Sequence, residues 1–153
     1  MKLGDVLKKE RVNKEVSQEE TAERLGISLE DYQQMENGES PAESWGPTLA
    51  QIAITLETPT SRLLAESGRF ADTKEGQAGS LIKGHRERRE KSVKELAEAL
   101  EMSEEAYLEI EAGKSPIERF GPLLLGFAEV IEQPVFNLFY PCGLPFQELD
   151  DYP

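Results

Sequence analysis

The sequence predicts an all-α protein made of two tandem halves with five helices each. The main observation is an internal repeat: residues 3–64 align with residues 78–139 at a constant offset of 75, with 24 identities in 62 pairs and no gap. A constant offset over this length indicates duplicated domains. The composition agrees with helices, because 31% of the residues are charged and helix-start patterns recur in both halves.

Three helices are predicted in the first 40 residues. Apolar residues spaced three and four apart from Leu3 onward indicate the buried stripe of a first helix. A capping box, in which Ser17 is followed three residues later by Glu20, begins a second helix. Gly26 ends that helix because glycine adopts positive φ freely, and Ser28 caps the start of a third.

Two more helices complete the first half. Ser40 and Glu43 form another capping-box pattern, and the fourth helix is predicted to run from about Pro47 to Leu56. A short fifth helix is predicted near residues 61–64. The second half repeats this order between residues 81 and 139.

The repeat and the composition also predict the domain boundaries. We expect a first domain at residues 1–67, a polar linker at 68–77 and a second domain at 78–140. Residues 141–153 read as a proline-rich acidic tail, because proline cannot continue a helix. Domains this small bury a modest core, so we expect them to rest on each other or on a partner.

Charge and composition restrict the class of protein. The formal net charge is -13, there is a single cysteine, and no apolar stretch is long enough to span a membrane. We find no phosphate-binding loop, no nucleophile–base pair and no group of metal ligands, so we predict a non-enzymatic protein without a cofactor or metal site. The absence of a signal-peptide pattern predicts a cytoplasmic location.

The pattern resembles the Cro/repressor-type helix-turn-helix family, often called XRE, whose domains have the lambda-repressor-like fold. In the first half the resemblance is carried by Arg11 and by residues 17–22, 25–28 and 35–38. In the second half it is carried by Arg86 and by residues 95–97, 100–103 and 110–113. The resemblance implies a DNA-binding transcriptional regulator, with structural ion pairs between Arg11 and Glu36 and between Arg86 and Glu111.

The resemblance also implies which residues of the first half contact DNA. In this family the third helix lies in the major groove, and its early residues reach the base edges. The matching candidates in this sequence, including the phosphate-contacting position that begins helix two, are Gln18, Ser28, Leu29, Glu30 and Gln34.

The second half departs from a DNA-reading pattern. Val93 occupies the position of Gln18, and the third helix carries three acidic candidates for a partner-binding face, Glu104, Glu105 and Glu109. Residues 17–39 have a net charge of -6 (seven acidic, one basic) and residues 92–114 of -5 (seven acidic, two basic). Acidic surfaces repel phosphates, since phosphate neutralisation supplies most non-specific DNA affinity.

An alternative function therefore stays open beside the regulator. A duplicated helix-turn-helix protein that no longer binds DNA would use its acidic faces to bind a basic protein or to mimic the charge of DNA. The turn of the second half carries Glu101 where the first has Gly26, so that turn is either strained or changed.

The last part of the second half is more apolar than its counterpart. Its excess of leucine, phenylalanine and β-branched residues begins at Leu123 and continues to Tyr140. One small domain needs fewer apolar side chains than this. The excess predicts an interface between the two halves or a homodimer.

Overall fold

A computed structural model of the protein describes residues 2–58, 63 and 76–132. Every regular element within these residues is an α-helix, so the predicted all-α class is confirmed for this part of the chain. The helices are α1 (Leu3–Asn13), α2 (Gln18–Leu25), α3 (Leu29–Glu36), α4 (Ala42–Thr55), α5 (Gln77–Arg88), α6 (Val93–Ala99), α7 (Glu104–Glu111) and α8 (Ile117–Val130). Apart from Leu63, the fifth helix predicted for each half falls outside the described residues, as do most of the linker and the tail.

Serine side chains begin four of the helices. The hydroxyls of Ser17, Ser28, Ser92 and Ser103 each accept a hydrogen bond from the backbone N–H three residues later, at 3.0–3.1 Å. Of these four helix starts, only the one at Ser92 has a complete capping box, because the Glu95 carboxylate also accepts from the Ser92 N–H at 3.1 Å. In α2 the predicted box is half formed, because Glu20 pairs with Arg24 at 2.8 Å instead.

The predicted start of the fourth helix is wrong by five residues. The helix begins at Ala42 rather than at Pro47, and α8 likewise begins at Ile117 with Pro122 inside it. The Ser40 hydroxyl accepts from the Ala42 N–H at 3.1 Å and sets the earlier start. Pro47 and Pro122 are the sixth residues of their helices, where each lacks the N–H for one helical hydrogen bond, yet both helices continue.

Glu43 does not form the capping box predicted with Ser40. The Glu43 carboxylate accepts from the backbone N–H of Gly4 at 3.0 Å, and so satisfies a free donor at the start of α1. Glu118 does the same for α5, accepting from Gly79 at 2.6 Å and Ala78 at 3.2 Å. The capping-box prediction at Ser40 is therefore wrong, because the carboxylate caps a different helix.

Backbone conformation recurs at the same offset as the sequence. Left-handed residues occur in pairs 75 positions apart: Glu15 and Glu90, Gly26 and Glu101, Gly38 and Gly113, Glu57 and Glu132. Glu101 has a φ of 56° where Gly26 has 70°. The turn of the second half therefore keeps the conformation of the first, and Glu101 accepts the strain of a left-handed residue with a side chain.

The two halves share one hydrophobic core. Helix α4 packs on α8, α2 packs on α8, and α4 packs on α6. The contacts are symmetric: α2 packs on α8, and α6, the counterpart of α2, packs on α4, the counterpart of α8. Such an arrangement is typical of the isologous pairing of two similar units. The buried face of α8 lies at the interface between the halves and includes Leu123, Leu124 and Phe127. This interface accounts for the apolar excess within the described residues.

Three side-chain contacts mark this interface. The rings of Tyr32 and Phe127 stack with their centroids 6.3 Å apart and their planes at 18°. Arg119 pairs with Asp31 at 3.1 Å, and Lys14 pairs with Glu132. Stability of the first half therefore depends on residues of the second.

Replacing Phe127 with leucine tests this coupling. We expect a loss of about 1.5 kcal/mol in the free energy of unfolding, because a buried aromatic contact is lost with little change in volume.

A shared core further predicts a single unfolding transition, seen at the same urea concentration by circular dichroism and by fluorescence of Trp45. Two separated transitions in the wild-type protein would contradict the shared core.

Candidate nucleic-acid interface

The candidate interface consists mainly of helices α2 and α3 and the turn between them. Thr21, Ala22 and Leu25 of α2 and Tyr32 and Met35 of α3 are buried. The left-handed Gly26 ends α2, and the cap at Ser28 begins α3 two residues later. The opposite side of α3 is consequently left on the surface.

An ion pair attaches α3 to α1. Arg11 contacts Glu36 through two hydrogen bonds, Nε to Oε2 at 2.5 Å and Nη2 to Oε1 at 3.2 Å. The third arm of the guanidinium donates to the carbonyl of Val16 at 2.9 Å. The two side chains are only 12% and 2% exposed, so the bond geometry is fixed by the surrounding core.

The second half contains the matching arrangement. Arg86 donates to Glu111 from Nε at 2.6 Å and from Nη2 at 3.1 Å, and to the carbonyl of Lys91 at 3.0 Å. In both halves the arginine thus fixes the end of the third helix and the segment before the second. The geometry supports a structural role for each pair.

Burial and the ion pair change the acidity of nearby groups. Burial alone would raise the pKa of Glu36, but hydrogen bonds from Arg11 and Gln18 outweigh it and hold that pKa below its usual range. The pKa of the Tyr32 phenol is raised, first by burial and then by the neighbouring Glu36 carboxylate. Tyr107 is raised for the same reasons beside Glu111. Both tyrosines are therefore neutral core side chains.

Gln18, the predicted phosphate contact, takes part in an internal network. Its Nε2 donates to Glu36 Oε1 at 3.0 Å, and its Oε1 accepts from Gln33 Nε2 at 3.1 Å. The side chain is half-buried between α2 and α3. A phosphate would have to compete with these two hydrogen bonds. Sequence reasoning did not identify Gln33, which carries no signal of this role.

The other predicted DNA contacts lie at the start and on the outer side of α3. Glu30 and Gln34 are exposed, and Leu29 is half-buried. Ser28 is exposed, but its hydroxyl caps α3 by accepting from the Asp31 N–H at 3.1 Å. Of these predicted contacts, Glu30 and Gln34 are therefore exposed on the surface of α3, and Leu29 is partly covered.

Helix α7 presents a different surface. Glu104, Glu105 and Glu109 are all exposed, and Leu108 between them is 48% exposed. Leu108 takes the position of Gln33, and Val93 that of Gln18, so the amide network of the first half has no counterpart here. The face is acidic with an apolar centre, and its carboxylates would repel the phosphates of DNA.

Helices α3 and α7 carry no lysine or arginine of their own. Exposed cations on the first helix of each half include Lys8 and Lys9 on α1 and Lys83 and Arg88 on α5. Lys14, at the end of α1, pairs with Glu132 of the other half. The residues described contain no group of three or more His, Cys, Asp or Glu side chains that could hold a metal ion.

A comparison with protein families supports the class of this site. Residues 7–44 match the family described as helix-turn-helix. The matched segment runs from α1 into the start of α4 and therefore contains the Arg11–Glu36 pair and all of α2 and α3. At the level of that family, the match supports a DNA-binding regulator.

Two other comparisons found nothing similar. No curated protein and no solved structure matches the chain. Among the described residues, no helix is long and apolar enough to cross a membrane.

Proposed function

We propose that this protein is a DNA-binding transcriptional regulator with two tandem helix-turn-helix domains, and that the first domain reads DNA. The observation that carries the proposal is the family match over residues 7–44, a segment in which the outer side of α3 is on the surface. Glu30 and Gln34 would contact base edges, since glutamate can accept from cytosine and glutamine can pair with adenine. Gln18, Ser28 and Leu29 would position the helix.

The second domain would support assembly rather than reading. Its reading helix carries three exposed glutamates around Leu108, and phosphates beside that face would be repelled. Its reciprocal packing with the first domain gives it a structural part in the protein. The homodimer and the cytoplasmic location expected from the sequence stay predictions.

A second candidate function rests on that same acidic face. A protein-interaction or DNA-mimic module would use Glu104, Glu105 and Glu109 to bind a basic protein. The exposed Leu108 favours this candidate, because the centre of a protein interface is more apolar than its rim.

Titration with DNA distinguishes the two candidates. Fluorescence anisotropy with a randomised duplex pool, at low and at moderate salt, should show binding that weakens steeply with salt and enriches one sequence. Replacing Gln34 with alanine should then relax selectivity at one base pair, by about tenfold. Lack of binding at low salt would exclude the regulator.

Charge reversal of α7 provides the complementary test. With a labelled arginine-rich peptide as probe, the triple change Glu104, Glu105 and Glu109 to lysine should abolish binding if the acidic face is the site. A control with Asp5, Glu87 and Glu90 changed to lysine alters the net charge equally elsewhere on the surface. Equal loss in both variants would mean that only overall charge matters and would contradict a specific acidic face.

A further inference from the structure

The reading helix of the first half has no cation of its own. The sequence contains no lysine or arginine from residue 25 to residue 61, a segment that includes all of α3 and α4. The same segment carries the exposed acids Glu30 and Glu39. A DNA surface built from these residues alone would lack the positive charge that phosphates require.

The second half places a cation beside α3. Arg119, in the first turn of α8, donates from Nη2 to the carboxylate of Asp31 at 3.1 Å. Its guanidinium carbon also lies 5.4 Å from the centre of the Phe120 ring, so an aromatic face supports the group. Both partners are about half exposed, at 57% for Arg119 and 47% for Asp31, so the guanidinium is open to solvent as well.

We propose that Arg119 completes the DNA-binding surface of the first half by contacting a phosphate beside α3. This inference rests on the proposed function and adds to it that one reading surface is built from both halves. In the free protein the guanidinium neutralises Asp31, the carboxylate of α3 that follows Glu30.

The contact is physically suited to an exchange of partners. Exposed ion pairs are weak and are screened by salt, so Asp31 holds the guanidinium loosely. A guanidinium presents several donors in one plane and binds phosphate oxygens in pairs. Arg119 can therefore turn from Asp31 to a phosphate, or bridge the two, while the Phe120 ring keeps it near α3.

The test compares arginine variants by their salt dependence. Arg119→Gln should weaken binding to the selected duplex by about fivefold and lower the slope of log K against log salt by about one, as expected for one phosphate contact. Arg119→Lys should retain most of the slope. Arg89→Gln, which removes an exposed arginine at the end of α5, should leave the slope unchanged.

A further variant separates a phosphate contact from a structural role. Asp31→Asn removes the competing carboxylate and should tighten DNA binding by about threefold at low salt. An Arg119→Gln protein that loses thermal stability but keeps the wild-type salt slope would overturn the inference. If the wild-type protein binds no duplex, the proposed function itself fails and the inference falls with it.

Discussion

Replacing Glu36 with alanine should lower the free energy of unfolding by about 3 kcal/mol, because it leaves the Arg11 guanidinium buried without its counter-ion. Glu36 also accepts from Gln18, so the change removes one of the two hydrogen bonds that connect Gln18 to α3. Urea denaturation followed by circular dichroism measures the loss. A change below about 1 kcal/mol would show that solvent reaches the arginine and that the pair is a weak surface contact.

The second half supplies a matched control. Glu111→Ala breaks the equivalent pair with Arg86 but removes no glutamine contact, so it should cost less than Glu36→Ala. A double change of Arg11 to methionine and Glu36 to leucine removes both charges and should recover most of the loss. A double variant as unstable as Glu36→Ala would show that the loss does not come from the unpaired charge of Arg11.

The pH dependence of stability gives another readout of the same pair. The pKa of Glu36 is below its ordinary value of 4.5 in the folded protein. Its contribution is therefore present above the pKa of the unfolded chain and is lost as the pH falls below about 4.5 through the folded value. Wild-type protein should lose more stability on acidification than Glu36→Gln, which has no proton to take up.

Replacing Gly4 with alanine should destabilise the protein by about 2–3 kcal/mol, although alanine is the better helix former. A Cβ atom at Gly4 would lie 2.5 Å from the carbonyl oxygen of Glu36 and 2.7 Å from that of Met35. Both contacts are with backbone at the end of α3, so α1 itself would have to move. Thermal unfolding would show the loss.

Two other glycines test this explanation. Gly79→Ala meets the same obstacle in the second half, at 2.4 Å from the carbonyl oxygen of Ile110, and should be equally harmful. Gly84→Ala lies within α5, where the nearest atom is a movable Arg88 nitrogen at 3.3 Å. It should stabilise the protein by about 0.5–1 kcal/mol. Stabilisation by Gly4→Ala would contradict the close approach of α1 to α3.

Local signals made much of the fold predictable. Each serine hydroxyl that begins α2, α3, α6 or α7 bonds to a backbone group three residues away, and such short-range contacts follow from the sequence. The predicted start of α4 at Pro47 is wrong because the Ser40 hydroxyl and Pro41 begin the helix five residues earlier, at Ala42. The Glu43 carboxylate was misassigned because its partner, Gly4, is 39 residues away.

The candidate site was predictable only as far as its residue types. The acidic character of α3 and α7 was visible in the sequence, and their exposed positions agree with it. The engagement of Gln18 with Glu36 and Gln33, and the approach of Arg119 to Asp31, depend on how helices and halves pack. Packing of distant segments leaves no periodic pattern, so these contacts required the structure.

The left-handed residues after the helix ends have a consequence for engineering. Five of those described are glutamates, namely Glu15, Glu57, Glu90, Glu101 and Glu132. An L-residue with a side chain is strained in this conformation, whereas glycine is free to adopt it, so changing Glu15, Glu57, Glu90 or Glu101 to glycine should each give a net gain of about 0.5–1 kcal/mol. Glu132 is different because its carboxylate also pairs with Lys14 of the other half. A variant with the first four changes would be less acidic, more tolerant of heat and a natural starting scaffold for redesign.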